Sequence, residues 1–343
     1  MMQTADILRI LQGYQTPITI MEVCGSHTAA IIKSGLRSLL SPAIRLVSGP
    51  GCPVCVTAGA YIDTLVDYAR MPGHMVLSFG DMLRVRGTHQ SLADAKATGA
   101  SVDMFYSPLE AIARAKANPH LRFVVAAVGF ETTAPVFAVL VRQILHENLG
   151  NIRLLTALKT MPPVLAHIAR YESVDGFLCP GHVSAIIGAA PYHPLAAQYH
   201  KPCAIAGFEP EHILAALYDI ITQRENGRFA VHNLYKAVVS DAPQAKAQQL
   251  IAQYFQPGDA YWRGIGVIEA SGLYLQPAVA QLDAGSAIIA PDSFPPGCRC
   301  QDVILGRIMP TECPLFATAC TPDSPIGACM VSAEGACGQW FTP

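Results

Sequence analysis

Charge is scarce in this chain: 14% of its 343 residues are Asp, Glu, Lys or Arg, against about 25% in an ordinary soluble domain. The net charge of −2 supplies no basic field, which excludes nucleic acid or an anionic membrane as partners on electrostatic grounds. Membrane-spanning runs are missing too. The uncharged stretch from Gly176 to His200 is long enough to span, but Pro180, Pro191, Pro194, His182 and His193 interrupt it, and lipid would leave such groups unsatisfied. The start, Met1-Met2-Gln3-Thr4-Ala5-Asp6-Ile7-Leu8-Arg9, lacks the basic and long apolar regions of a signal peptide, so the expected location is the cytoplasm. No short repeat or low-complexity segment is present. With 51% hydrophobic residues and so few charges, some apolar surface is expected to meet partner proteins.

What the chain does have is cysteine, eleven in all. In a reducing compartment these point to metal binding or redox chemistry rather than to a disulfide framework. Two of them lie in Ser48-Gly49-Pro50-Gly51-Cys52-Pro53-Val54-Cys55-Val56, between the buried strand pattern Ile44-Arg45-Leu46-Val47 and a helical apolar spacing from Thr57 to Leu65. Pro53 suits a first helical position, which would make Cys52 the helix cap, its thiolate favoured by the helix dipole. Cys55 then stands one turn on, within disulfide reach. The pair reads as a reversible dithiol, as half of a zinc site, or as two packed thiols.

The same order of strand, special turn and helix recurs along the chain. Helices are expected at Ala5–Gln12, Ala29–Gly35, Pro135–Asn148, Pro163–Tyr171, Glu211–Arg224 and Ala245–Tyr254, and strands at 18–23, 75–79, 122–128, 152–156, 176–178 and 203–206. Uninterrupted apolar strands such as Arg122–Val128 belong to parallel sheets, so the class is α/β. In such sheets working groups gather beyond the carboxyl ends of the strands. Cys24, Cys52, Cys55, Asp81, Glu131, Thr132, Cys179, His182 and Glu209 all fall there, which suggests one shared cleft. The plainer reading of each acid is a helix cap, and of Cys179 or Cys203 a small buried filler. From about Pro243 the pattern changes, and a separate small domain is expected to start near 255 to 262.

Six cysteines, Cys298, Cys300, Cys313, Cys320, Cys329 and Cys337, crowd the Pro/Gly-rich tail. A segment so poor in regular structure needs a cross-link, and thiolate–metal bonds supply one. The spacings do not form zinc knuckles, and Leu315, Phe316, Ile326, Met330 and Val331 would shield a cluster; a [4Fe–4S] centre, zinc and plain thiols remain as readings. Cys298 and Cys300 are too close in sequence to be two ordinary ligands of one cluster.

Seven motifs together resemble the HypD family of hydrogenase maturation factors. They are Met21-Glu22-Val23-Cys24-Gly25-Ser26-His27-Thr28, Ser48 to Cys55, Ser78-Phe79-Gly80-Asp81-Met82, Gly129-Phe130-Glu131-Thr132-Thr133-Ala134-Pro135, Cys179-Pro180-Gly181-His182-Val183-Ser184, Gly207-Phe208-Glu209-Pro210, and Pro325 to Ser332. The resemblance implies two similar three-layer α/β domains with largely parallel sheets, 49–183 and 21–48 with 184–261. A small cysteine-rich iron–sulfur domain would come from 1–20 and 262–343. It implies a redox-active assembly scaffold, rather than a conventional turnover enzyme, that builds the Fe(CN)2CO unit of [NiFe]-hydrogenase with a small HypC partner, taking cyanide from HypE. On it, Cys24 would hold the transient iron, Cys52 and Cys55 would be the redox dithiol, and Cys313, Cys320, Cys329 and Cys337 would hold a [4Fe–4S] cluster. His27, three residues after Cys24, would give a proton or a hydrogen bond to a cyanide nitrogen, or else bond to backbone at the helix start. The chain has Gln301 where the family usually has Gly, and ends in Gly338-Gln339-Trp340-Phe341 rather than in a tyrosine-rich tail. A zinc-stabilised cytoplasmic thiol-disulfide oxidoreductase, or a two-lobed ligand-binding module, are the other classes these residues allow.

Overall fold

The computed structural model describes residues 3–290, 292 and 294–341. Among them are eleven strands: β1 (Ile18–Glu22), β2 (Ile44–Ser48), β3 (His74–Ser78), β4 (Val102–Met104), β5 (Arg122–Gly129), β6 (Ile152–Lys159), β7 (Gly176–Cys179), β8 (Cys203–Ile205), β9 (Val231–Asn233), β10 (Phe255–Trp262) and β11 (Gly266–Leu275). They form two sheets, and the chain is α/β as its apolar strands require. It divides into two compact units, one of residues 1–52, 164–244 and 296–343, the other of 53–163 and 245–295. No described helix is long and apolar enough to cross a membrane.

The first unit carries an all-parallel sheet in the order β2-β1-β7-β8-β9. Apolar residues of Thr4–Gly13, Gly25–Lys33 and Pro210–Glu225, among them Leu11, Ile31, Ile213 and Leu217, pack with Ile18, Ile20, Leu46 and Leu178 into one buried cluster. Each such side chain contributes about 1.5–3 kcal/mol by leaving water.

The second unit has the order β10-β11-β6-β5-β3-β4, in which β3 to β6 run parallel and the β10–β11 hairpin closes one edge antiparallel. Its core joins Phe123, Val125, Leu154 and Leu273 to Phe137, Leu140 and Ile251 of Ala134–His146 and Ala245–Tyr254.

Three expectations change. The hairpin at 255–275 completes the second unit's sheet instead of opening a separate domain; its turn rests on Gly264 and Gly266, with φ of 79° and 109° that side chains resist. Strand β7, read as part of a 49–183 domain, pairs with β1. The cysteine-rich tail groups with residues 1–52 and 164–244, and the other break in the early chain falls between Cys52 and Pro53.

Candidate functional site

Strand β1 ends at Glu22, and two residues on, Cys24 caps the helix Gly25–Lys33 with extended backbone angles. Its thiol is half-buried. Burial pushes its pKa up, and the Ser26 and His27 amides and the Ser26 hydroxyl pull the other way. A helix start supplies such N–H groups by construction.

Two other cysteine segments of this unit reach the same place. Gly49 N–H donates to the Glu22 carbonyl (2.8 Å), so the chain after β2 keeps running beside the end of β1. At Gly51 the backbones are so close that a Cβ would overlap the Val23 carbonyl oxygen and stand 3.0 Å from Cys24 Cα. Only glycine permits that approach, and it delivers the adjacent, buried Cys52 to Cys24. From the tail, the Glu334 carbonyl oxygen lies 2.6 Å from where a Gly25 Cβ would be. Glu334 also adds a charge that disfavours the Cys24 thiolate.

Cys52 is not a helix cap. Residues 53–56 form a turn, and the helix begins at Gly59 behind Ala58. Within the turn the Thr57 hydroxyl donates to the Pro53 carbonyl (2.8 Å). Cys52 and Cys55 are both buried, so their chemistry rests on enclosure rather than on a helix dipole.

His27 follows its plainer reading. It is fully buried; its Nε2 faces the carbonyl oxygens of Ala206 and Gly207, each at 3.3 Å, which makes Nε2–H the donor. Burial lowers its pKa to about 4, so it is neutral near pH 7 and docks the helix onto the turn after β8. The exposed imidazole near Cys24 belongs to His182, whose Nδ1 is 3.5 Å from Ser26 Oγ and whose ring lies 4.4 Å from that of Phe208. Phe208 also contacts His27, at 4.7 Å. His182 was legible as a strand-end residue in Cys179-Pro180-Gly181-His182, while its pairing with Ser26 depends on β7 lying beside β1.

The nine strand-end residues do not share one sheet. Cys24, Cys179, His182 and Glu209 sit at the carboxyl end of the first unit's sheet, whereas Asp81, Glu131 and Thr132 follow β3 and β5 of the second. Cys179 and Cys203 are fully buried on neighbouring strands; burial, with Cys203 beside it, raises the Cys179 pKa.

The tail cysteines gather around Cys337 in the helix Ala336–Phe341. Burial pushes the Cys337 thiol up, and Cys313, Cys320 and Cys298 add to the shift. The resemblance made Cys329 a cluster ligand beside Cys313, Cys320 and Cys337. Cys329 forms a disulfide with Cys300, Cα to Cα 6.3 Å, with its Sγ 3.2 Å from that of Cys337. The four other tail cysteines, Cys298, Cys313, Cys320 and Cys337, lie outside that bond, whereas the resemblance implied Cys329 in place of Cys298. Cys300 opens a short helix, Cys300–Ile304, and Cys298 precedes it in the loop, which separates the roles of two cysteines only two apart.

Among the described residues no three or more His, Cys, Asp or Glu side chains converge on a single-ion site. The four sulfurs nonetheless fit an iron–sulfur group in chemistry: soft donors, three of them buried, with the Ile326 N–H donating to Cys320 Sγ at 3.3 Å. At Gly327 a Cβ would stand 2.8 Å from Cys298 Sγ, so a side chain there would fill the cradle.

Comparison with known proteins agrees with the motifs. The model of the HypD family, described as "Hydrogenase formation hypA family", matches residues 2–342. The chain is 41% identical over 333 residues to the hydrogenase maturation factor HypD of Escherichia coli K12, covering 95% of this chain and 89% of that one. The HypD of Rhodobacter capsulatus is 39% identical over 339 residues, with the same shares covered. A putative hydrogenase expression/formation protein of Methanocaldococcus jannaschii is 39% identical over 329 residues, covering 94% of this chain and 91% of that one. A match over nearly every residue means that this chain belongs to the HypD family.

Proposed function

We propose that this chain is a redox-active scaffold of [NiFe]-hydrogenase maturation, working in the reducing cytoplasm. On it an iron ion, the substrate, acquires two cyanides and a carbonyl. The observation that carries this reading is the meeting of three cysteine segments at one helix start: Cys24 caps it, Gly51 and Cys52 lie against it, and Glu334, three residues before Cys337, touches Gly25. A soft thiolate is the right anchor for low-spin iron with cyanide and carbonyl ligands. The half-buried Cys24 leaves one side of such an iron for a second cysteine, supplied by a small HypC-type partner.

Cyanide would come from a HypE-type donor as a thiocyanate on that donor's cysteine. Breaking the S–CN bond, R–S–CN + 2e− + H+ → R–SH + CN−, needs two electrons and one proton. The Cys52/Cys55 dithiol supplies both electrons as its S–S bond forms, and releases two protons; one goes to the donor's sulfur and one to solvent. His182, exposed and beside Ser26, is placed to move the first of these. Cys298, Cys313, Cys320 and Cys337 would hold a [4Fe–4S] cluster, which when bound supplies electrons singly to restore thiols. The Cys300–Cys329 disulfide beside that set would accept two electrons and two protons to become a dithiol, which then stores them.

Infrared spectroscopy of the oxygen-free complex with the small partner tests the reading. Wild type is expected to show iron-bound cyanide and carbonyl bands, and Cys24→Ala to lose them while keeping the tail iron. Unchanged bands in Cys24→Ala would remove Cys24 from the role.

A further inference from the structure

The second unit has a basic cavity at the amino ends of its parallel strands, the opposite end of the sheet from Glu131 and from the buried Lys159 that ends β6. His74 opens β3, Arg122 opens β5, and Arg153 is the second residue of β6. The register sets His74 opposite Arg122 and Val124 opposite Arg153, so the alternation of side chains along a strand puts all three on one face. Beside them lies a cavity of about 360 Å³, within the roughly 300–1,000 Å³ of small-molecule sites.

The charges lining this cavity do not cancel. The Arg122 guanidinium has no hydrogen bond or ion pair with any described residue. Arg153 spends Nη1 on the Gly150 and Ile152 carbonyls (3.1 and 2.9 Å), which fixes the guanidinium and leaves its Nη2 and Nε hydrogens to give. The carboxylate in the lining, Asp283, is committed to its own turn: Oδ1 accepts the Ser286 hydroxyl, and both oxygens face the Ser286 N–H (3.2 and 3.3 Å). Two guanidiniums against one carboxylate leave one positive charge over. Such a cleft concentrates anions. Two neutral acceptors stand beside the cations. His74 Nδ1–H donates to the Pro72 carbonyl (3.2 Å), which leaves Nε2 to accept, and the Tyr68 hydroxyl gives its hydrogen to the Ala284 carbonyl (3.0 Å), which leaves its oxygen to accept. The two rings lie 5.9 Å apart.

We propose that this cavity binds a small hydroxylated phosphate monoester of the sugar-phosphate class. The phosphate sits between Arg122 and Arg153, and hydroxyls of the ligand donate to His74 Nε2 and Tyr68 Oη. Guanidinium presents paired N–H donors that match phosphate oxygens, and two of them meet the two charges of a monoester. The acceptors call for a ligand with hydrogens to give, which a bare inorganic anion of high charge lacks. The site is independent of the thiol chemistry, since every residue in it belongs to 53–163 or 245–295.

The test uses the full chain, purified without oxygen, titrated with ribose 5-phosphate, ribose and sodium succinate at equal ionic strength. Calorimetry and thermal unfolding are followed in wild type, in Arg122→Gln, which removes an exposed charge without breaking a bond, and in Arg153→Gln. Lys236→Gln, an exposed lysine of the other unit, controls for net charge. A saturable heat and a rise in Tm with ribose 5-phosphate, weakened at least about tenfold in Arg122→Gln and unchanged in Lys236→Gln, support the proposal. Arg153→Gln is expected to weaken binding by a similar factor, and His74→Phe several-fold. No response to ribose 5-phosphate beyond that to ribose, an equal response to succinate, or equal binding by Arg122→Gln with its circular dichroism intact overturns it.

Discussion

The Arg37 guanidinium lies 4.2 Å above the ring of Trp340 and also donates to Glu22 Oε1 at 3.2 Å. Glu22 is buried, with Ser48 donating to the same oxygen. Burial raises its pKa, opposed by Arg37. One side chain thus ties the end of β1, two residues before Cys24, to the helix that carries Cys337. Trp340→Ala is expected to cost about 1–2 kcal/mol, as a partly desolvated cation–π contact does, and to speed proteolysis of the tail; Trp340→Phe should keep most of both. Arg37→Met, which leaves the Glu22 carboxylate buried and unpaired, is expected to cost about 3 kcal/mol or more. Denaturant titration with limited proteolysis measures each.

The tail's ligand assignment gives opposite expectations for two neighbouring positions. In oxygen-free preparations Cys298→Ser should lower iron and acid-labile sulfide together, as should Cys313→Ser. Cys329→Ser should keep both and lose only the disulfide with Cys300. Full iron in Cys298→Ser, with depleted iron in Cys329→Ser, would restore the set that the resemblance implies.

The two histidines near Cys24 should separate stability from chemistry. His27→Ala removes a buried donor to two carbonyls, so a loss of about 1–3 kcal/mol is expected. His182→Ala, at an exposed ring, should leave Tm within a degree or two. Cyanide release from the donor should slow about 10²-fold or more in His182→Ala if it moves the proton, with partial rescue by added imidazole. An unchanged rate in His182→Ala would place the proton source in solvent.

Glu131 gives a pH dependence with a definite sign. Its Oε1 accepts the Met161 N–H at 2.7 Å, its Oε2 is buried without a partner among the described residues, and burial raises its pKa from 4.5 to about 7. The folded chain therefore holds a proton that the unfolded chain releases between pH 4.5 and 7. This contribution makes stability fall across that window and stay low above it, by about 3 kcal/mol in all. Glu131→Gln should flatten the profile and raise Tm at pH 8, as read by unfolding from pH 5 to 8.

Much of this was legible from pattern. The two-face-buried strand at 122–129 and the helix Ala245–Tyr254 follow from apolar runs and spacing, and Cys24 falls at a helix start because β1 stops there. Other features depend on distant partners. The helix after Cys55 starts only at Gly59, after a separate turn at 53–56 that the apolar spacing from Thr57 did not reveal. Cys329 meets Cys300 across a sequence separation of 29, a pairing that residue counting does not register. The Phe255–Trp262 strand is buried at Phe255, Ala260 and Trp262 only, its register shifting between Gly258 and Ala260, so it shows no clean period of two. Lys159 gave no signal, since a lysine ending a strand reads as exposed until β11 covers it.

The division of the chain also bears on synthesis. The unit that holds Cys24 draws on residues 1–52, 164–244 and 296–343. During translation the first of these is made some 240 residues before the last, at about 5–20 residues per second. Until Glu334 reaches Gly25 and Trp340 reaches Arg37, Cys24 has one wall missing. The segment 53–163, with most of the second unit's parallel strands, is local enough to order early. A thiol site whose last wall is also its last-made piece stays open to adventitious metals while the chain is growing, and closes in one late event.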